Sequence, residues 1–432
     1  MQEHPVLGQV ALGYSPMIDR QRAVLATRLT VFPVSADSQP DPAALLAAIQ
    51  EVWPDEDTAD GTSTAQQPLK LAPRPLGSAG TAAKPAAVKP LVSLNLAGEG
   101  LLRSVMAAHP GPQLMVEVPA FMAGDPAHAA LLKQLHAGGT VLLIKGRPLT
   151  PLAPDLMALF SHAIVEAGDD RRTDPPRAPP AAGARNMTTV QAGARTSADI
   201  EAAFQLGAGA VLGWPWDDPE PKSAGRSSVP SDVNTVMALI QGVERERPVS
   251  ELEAVLRSDP TLAFRLMRYL NSPAFGLSVE INSFGHALMM LGYQRLKRWL
   301  ALLLASSAKG ANAKPVMYAA VRRGLLMEEL GREHGDAEMR GEMFICGVFS
   351  LLNRLLHQPF SDLLPNVPVP ERVQKALRGE GGPYQPYLNL VCAIEQESLF
   401  DIREQTETLM LGTATVNRAV LVALRSARQL DG

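Results

Sequence analysis

Leu91-Val-Ser-Leu-Asn-Leu96 decides the fold of the first half of this 432-residue chain, because two similar segments follow it. These are Gln113-Leu-Met-Val-Glu-Val118 and Thr140-Val-Leu-Leu-Ile144. Each is short and mostly apolar, as buried β-strands are. Helical patterns at 100–108 and 126–137 separate them. Strand and helix in alternation predict a parallel sheet, and the pattern alone does not decide whether it is open or closed into a barrel.

The same unit recurs toward the end of this half. A short strand centred on Val190 precedes a helix at 198–206, and Ala210-Val-Leu212 is apolar again. We therefore expect residues 1–219 to form one α/β domain.

Three segments have a composition that does not support a packed core. The segment at about 55–90 is rich in Ala, Gly, Thr, Ser and Pro, and the one at 169–183 in Pro, Arg, Asp and Ala. Neither contains enough large apolar residues to offset the entropy of ordering, so both are predicted to be disordered insertions. Residues 220–229 have the composition of a linker.

Residues 230–432 are predicted to be almost entirely helical. Ser250-Glu-Leu-Glu253 has the capping-box pattern of a helix start. A later helix places apolar residues on one face, and its basic residues are expected to form a solvated face rather than a nucleic-acid patch. The apolar stripe is Leu296, Trp299, Leu300, Leu303 and Leu304, and the basic residues are Arg295, Lys297 and Arg298.

Composition excludes several classes of protein. With 40 basic and 44 acidic residues, the net charge of −4 does not favour a nucleic-acid partner or a polybasic membrane anchor. Cys346 and Cys392 are too few for a disulfide framework, which favours a reduced compartment. The N-terminus lacks a signal-peptide pattern, and the longest apolar run, Trp299–Ala305, is too short to span a bilayer. We expect a soluble, cytoplasmic protein without a membrane partner.

The helical half contains two long runs, Ser258-Asp-Pro-Thr-Leu-Ala-Phe-Arg-Leu-Met-Arg-Tyr-Leu-Asn-Ser-Pro-Ala-Phe-Gly276 and Ile281-Asn-Ser-Phe-Gly-His-Ala-Leu-Met-Met-Leu-Gly292. They resemble the HD-related output domain (HDOD), whose relatives include metal-dependent HD phosphohydrolases. By this resemblance Ser350 and Leu351 stand where the metal-binding His-Asp pair would be, and neither side chain suits a divalent metal. His286, His334 and His357 are scattered along this half. The resemblance therefore implies an HDOD domain without a metal site.

One segment of this half is a candidate interaction surface. Residues 269–276 end an amphipathic helix with a Pro and a Gly, and they contain Asn271, Ser272 and Phe275. The segment either turns the chain between two helices, with Asn271 and Ser272 bonded to local backbone and Phe275 buried, or forms part of a docking face for another signalling protein.

The first half contains a second set of motifs. Tyr14-Ser-Pro-Met-Ile-Asp-Arg-Gln-Arg-Ala-Val-Leu-Ala-Thr-Arg-Leu-Thr30 opens it, and Val190 to Pro219 closes it, with Leu94-Asn-Leu-Ala97 and Glu117-Val-Pro between them. Their order and spacing resemble the EAL domain, the barrel of cyclic di-GMP phosphodiesterases. The resemblance implies a (β/α) barrel over residues 6–219, with carboxylates that hold two metal ions.

The residues that such chemistry needs are mostly replaced. Only Asn95 and Glu117 match the ligand positions of the family. At the other positions the resemblance puts Arg28 for the Glu of the EAL triplet, Lys145-Gly146 for the paired aspartates, Ile164 near the catalytic lysine, Ala192 and Arg195 for two glutamates, and Leu212 for the closing Gln. Two oxygen ligands cannot hold a metal pair, and cations would repel one. We therefore expect no catalytic residue, no metal and no cofactor in this degenerate EAL-like domain.

Loss of chemistry leaves two functions open. The protein is predicted to be a non-catalytic signal-transduction scaffold that acts through contacts with signalling proteins. The alternative is a sensor that binds cyclic di-GMP, or a related nucleotide, without hydrolysis, with ligand candidates Arg28, Asn95, Glu117, Lys145 and Arg195. Cations at a barrel mouth can accept phosphate, but they can equally pair with carboxylates such as Glu117 and Glu166. A phosphohydrolase is the least favoured hypothesis, and the sequence leaves the oligomeric state open.

Overall fold

The computed structural model describes residues 4–35, 38–53, 91–148, 151–169, 187–215, 217–219, 231–257, 284–306, 313–333, 335–365, 367 and 369–431. The predicted insertions at 55–90 and 169–183 (Asp169 apart) and the linker at 220–229 lie outside these residues. So do Asn271, Ser272 and Phe275, so the interaction segment stays a prediction.

Eight strands close into a barrel in chain order, which settles the alternative that the sequence left open. The first strand is antiparallel to its two neighbours, the second and the eighth, and every other pairing is parallel. The strands are β1 (Val10–Asp19), β2 (Val24–Pro33), β3 (Leu91–Leu96), β4 (Leu114–Pro119), β5 (Val141–Lys145), β6 (Phe160–Glu166), β7 (Thr188–Ala194) and β8 (Ala210–Gly213). Five of these strands lie where the sequence predicted strands, with ends that differ by a few residues at most. They are β3, β4, β5, β7 and β8.

Helices follow most of the parallel strands, and their starts are encoded locally. Asp125 caps the helix that Pro126 opens, and Thr196 with Asp199 forms a complete capping box. These helices are α1 (Pro42–Gln50), α2 (Glu99–Ala107), α3 (Ala120–Ala123), α4 (Pro126–Ala137), α5 (Pro154–Met157) and α6 (Ser197–Gln205).

The barrel interior holds one apolar cluster. Its members come from seven of the eight strands, and all are nearly inaccessible to solvent, so they fill the barrel rather than line a channel. They are Met17, Ala26, Met115, Leu143, Ile164, Val190, Ala192, Ala210 and Leu212.

The rest of the described chain is helical, as predicted. Its helices are α7 (Ser231–Glu244), α8 (Val249–Arg257), α9 (Phe284–Ser306, interrupted at Gly292), α10 (Ala313–Leu330), α11 (Ala337–Phe349), α12 (Leu352–Leu356), α13 (Phe360–Leu363), α14 (Glu371–Arg378), α15 (Gln385–Glu395), α16 (Leu399–Thr408) and α17 (Thr413–Asp431). The predicted stripe on α9 is buried throughout, from Leu296 to Leu304. No helix in the described part of the chain is long and apolar enough to cross a membrane.

The basic side chains on α9 correct one prediction. Lys297 is buried and pairs with Glu244 of α7, and Arg298 donates to Glu328 of α10 at 2.6 Å while stacking on the Phe344 ring. These two cations therefore hold neighbouring helices together rather than forming a solvated face. Their carboxylate partners lie far away in sequence, which explains why the pattern of α9 alone was misleading.

The chain divides into two compact units, and the division does not follow the sequence order. The first unit contains the barrel together with residues 392–418, here termed the C-terminal segment; the second contains most of the other helices. Asn417 ties the C-terminal segment to β1, because its side chain accepts from the Leu12 N–H and donates to the carbonyls of Leu7 and Val10. The barrel is thus completed by residues from the far end of the chain.

Candidate functional site

A layer of polar side chains lies above the apolar cluster, toward the carboxyl ends of the parallel strands. Side chains two positions apart on a strand face the same side. Ser15, Arg28, Glu117 and Lys145 each stand two positions from a member of the apolar cluster, on β1, β2, β4 and β5. With Ser93 and Asn95 of β3 they form what we term the mouth cluster. Ligands of parallel barrels bind at this end of the strands.

An ion pair between Arg28 and Glu117 occupies the centre of the mouth cluster. Arg28 donates from Nε to Glu117 Oε1 at 2.9 Å and from Nη2 to Oε2 at 2.7 Å, which is the bidentate geometry. Ser93 adds a third bond to Oε1 at 3.0 Å. The Glu117 side chain has no exposed surface. Both of its oxygens are therefore already engaged.

A carboxylate from the C-terminal segment completes the site. Glu397 accepts from Arg28 Nη1 at 3.3 Å and from Ser15 Oγ at 2.7 Å. Its backbone comes so close to β1 that a Cβ at Gly13 would lie 3.0 Å from the Glu397 Cα and from the Ile394 carbonyl oxygen. A larger residue at position 13 would collide with the C-terminal segment, so glycine is what allows that segment to reach the barrel mouth.

Lys145 and Asn95 form a second, half-buried part of the mouth cluster. Lys145 Nζ donates to Asn95 Oδ1 at 2.9 Å, and Asn95 Nδ2 donates to Thr30 Oγ1 at 3.0 Å. Burial, and then the nearby Arg28 charge, lower the pKa of Lys145 below its ordinary value. Burial alone would also lower the pKa of Arg28, but Glu117 and Glu397 outweigh it and raise that pKa.

The fifth ligand candidate is engaged elsewhere. Arg195 follows the end of β7, and its guanidinium forms a partly exposed ion pair with Asp217, which raises its pKa. The structure thus brings Arg28, Asn95, Glu117 and Lys145 together, and it gives Arg195 a partner outside the mouth cluster.

The mouth cluster does not fit the metal pair that an EAL-type barrel would carry. Arg28 and Ser93 take both Glu117 oxygens, and Lys145 takes the Asn95 oxygen. A metal would have to displace a cation from each ligand. Among the residues described, no three His, Cys, Asp or Glu side chains are grouped so that they could hold a metal ion.

Ser350, which the resemblance aligns with the metal-binding His-Asp pair, does not suit a metal either. It directly follows α11, and its hydroxyl accepts from Arg323 Nη1 at 2.9 Å. A buried guanidinium therefore faces the place where the pair's ligands would be. His357 is exposed at the end of α12, while His334 and the side chain of His286 fall outside the described residues.

Sequence reasoning missed three residues of the site. Ser93 left a signal, since it is a polar residue in a run of apolar ones and its side chain faces inward. Ser15 was quoted only as part of a motif. Glu397 left no local signal, because it is 369 positions from the arginine that it contacts.

Comparison with known proteins identifies one domain of the second half and gives relatives for the chain. Residues 228–361 match the HDOD family and are an HDOD domain. The uncharacterized protein YuxH of Bacillus subtilis is 30% identical over 164 residues, 37% of this chain and 40% of YuxH. The cyclic di-GMP phosphodiesterase CdgJ of Vibrio cholerae is 24% identical over 180 residues, 42% of each chain. The chain thus matches about two-fifths of the length of these relatives.

The N-terminal region resembles solved EAL-domain structures in its barrel fold. The PaMucR phosphodiesterase in its c-di-GMP complex matches 49% of this chain and 92% of its own, at 17% identity and a TM-score of 0.31.

Proposed function

We propose that this protein is a non-hydrolysing component of cyclic di-GMP signalling, which acts in the cytoplasm through contacts with other signalling proteins. The observation that carries the proposal is the Arg28–Glu117 ion pair, closed by Glu397. At the barrel mouth the charged side chains are bonded to one another, whereas a hydrolase needs free carboxylates there. The kinship with CdgJ supports the pathway, and the HDOD domain supports a signalling role.

The physical argument concerns the nucleophile. Hydrolysis of a phosphodiester at neutral pH needs a metal-activated water or a strong base. Here the Arg28 guanidinium bonds both Glu117 oxygens, so neither is free to contact an attacking water, and the Asn95 oxygen is bonded to an ammonium. Regaining a metal pair would require breaking a buried bidentate ion pair, which costs several kcal/mol, roughly 3–5.

A turnover assay tests the proposal. Purified full-length protein with Mn²⁺ or Mg²⁺ is expected to release no linear dinucleotide from cyclic di-GMP above a buffer blank, followed by chromatography over hours. Turnover that disappears in Glu117→Gln would overturn the proposal, since that variant removes only the charge of the one matching carboxylate.

A second candidate, a cyclic di-GMP sensor, is favoured by one observation. Lys145 and Asn95 are only half-buried, so a ligand could reach them from solvent. Against it stands the charge of the mouth, where Glu117, Glu166 and Glu397 act on Lys145 together with a single arginine. Titration calorimetry with cyclic di-GMP separates the two: affinity tighter than about 10 µM, near −7 kcal/mol, that is lost in Lys145→Met would establish the sensor.

A further inference from the structure

Glu397 binds the barrel mouth in the way that a small anion would. The Arg28 guanidinium gives its Nε and Nη2 hydrogens to Glu117, which leaves Nη1 to face Glu397. Ser15 Oγ gives the carboxylate a second donor at 2.7 Å. One cationic N–H and one hydroxyl that converge on two oxygens are a recognition unit for carboxylate or phosphate groups alike.

The left-handed conformation of Glu397 belongs to the end of α15. Its φ is +55°, and the Ser398 N–H donates to the Ala393 carbonyl across it, which is a common way for a helix to end. This turn brings the Glu397 backbone close to Gly13 and its carboxylate to Arg28 and Ser15. The end of a helix therefore sets the position of the carboxylate, and a movement of that helix end would withdraw it from the mouth.

The charge balance of the mouth also depends on Glu397. Two cations, Arg28 and Lys145, interact there with the carboxylates of Glu117, Glu166 and Glu397. Without Glu397 the remaining charges balance two against two. An arriving oxyanion would then restore the charge that the structure already accommodates.

We propose that the barrel mouth is an anion-binding site whose resident anion is the Glu397 carboxylate, and that a small oxyanion of the phosphate class replaces it when residues 394–397 leave the mouth. The C-terminal segment would then act as an internal competitor, which couples occupancy of the barrel to the position of that segment. This inference goes beyond the proposed function and does not depend on whether the barrel hydrolyses a nucleotide.

Replacing Glu397 by glycine is the sharpest test. Glycine removes the carboxylate and tolerates the left-handed backbone, so the Glu397→Gly fold is not strained at this position. The matched control is Met410→Gly, because Met410 also has a left-handed φ, +52°, lies on the same C-terminal segment and is 90% exposed. The probe is inorganic phosphate, titrated into full-length protein against chloride at the same ionic strength.

We expect Glu397→Gly to bind phosphate at least tenfold more tightly than the native protein and Met410→Gly, and to lose that gain when Ser15→Ala is added. Equal phosphate affinity in all three proteins would overturn the proposal, whether that affinity is weak or strong. Should Glu397→Gly fail to fold, Glu397→Asn tolerates the left-handed backbone, withdraws the charged group from Arg28 and must show a gain over the native protein. A cyclic di-GMP turnover assay on the same samples reports separately on the proposed function.

Discussion

Arg28 and Glu117 lie where a barrel of this shape places its chemistry, yet they neutralise each other. Taking both charges out of water is expensive, and only close, bidentate geometry with further hydrogen bonds compensates. The 2.7 and 2.9 Å bonds and the Ser93 hydroxyl supply that geometry. The pair is therefore interdependent: each residue is tolerated in the core because the other is present.

This interdependence predicts a non-additive pair of substitutions. Arg28→Met leaves a buried carboxylate unpaired and should lower the free energy of unfolding by roughly 3–5 kcal/mol. Adding Glu117→Leu removes the orphaned charge and should recover most of that loss, because a hydrophobic pair can replace a buried ion pair at little cost. Urea denaturation monitored by circular dichroism measures both.

The exposed ion pair of Arg195 and Asp217 is the control for these variants. Arg195→Ala is expected to change stability by less than about 1 kcal/mol, as surface pairs do. If Arg28→Met lowered the free energy of unfolding by no more than this control does, the Arg28–Glu117 pair would not be interdependent.

At the scale of elements, α10 and α11 pack with their backbones in close contact. A Cβ at Gly347 of α11 would lie 2.5 Å from the Arg323 carbonyl oxygen and 2.6 Å from the Gly324 nitrogen. The two glycines face one another where the helices cross. This crossing also sets Arg323 against Ser350, whose hydroxyl accepts from the Arg323 guanidinium.

Gly347→Ala should therefore destabilise the helical unit despite alanine's higher helix propensity. A methyl group placed against backbone cannot be relieved by a rotamer change, so overpacking should cost roughly 1–3 kcal/mol, or more. Gly341→Ala on the same helix is the matched control, because its Cβ would meet only the Gln294 side chain at 3.4 Å and should be neutral or slightly stabilising. Thermal unfolding of the two variants separates the effect of the helix crossing from that of helix propensity. Equal melting temperatures would contradict the close backbone packing at Gly347.

The elements also show what sequence periodicity resolves. The apolar runs of β3, β4 and β5 were predicted to within one residue, because apolar strands of parallel sheets are recognisable locally. The strands β1, β2 and β6 were not predicted. β1 contains Gly13 and Pro16, and β6 carries Ser161 and His162, so both look weak in isolation. Pairing on both sides within a closed barrel supplies the stability that their own propensity lacks.

At the scale of the whole molecule, the sequence indicated four of the residues that meet at the barrel mouth, but not the residue that completes the site. Asn95, Glu117 and the replacement at Arg28 follow from motif order within one domain. Glu397 and Asn417 reach the barrel from the opposite end of the chain, and no local pattern records such a contact. The predicted boundary at residue 230 stays a prediction, but the barrel draws on residues that lie far beyond it.

Asn417 offers the test of this long-range completion. Its buried amide makes three hydrogen bonds to the start of the barrel: it accepts from the Leu12 N–H at 3.0 Å and donates to the carbonyls of Leu7 and Val10 at 2.7 and 2.6 Å. Asn417→Ala leaves those backbone groups without their partner in a site too buried for easy hydration, which should lower stability by about 2–3 kcal/mol. Arg425→Ala, an exposed position on the same helix, should leave stability within about 0.5 kcal/mol of the native protein.

Hydrogen exchange gives the decisive readout. In Asn417→Ala the amides of β1 should exchange faster, because their unit has lost its tie to the C-terminal segment, whereas those of α11 should keep their native protection. Faster exchange in α11 with β1 unchanged would show that residues 392–418 stabilise the helical unit rather than the barrel.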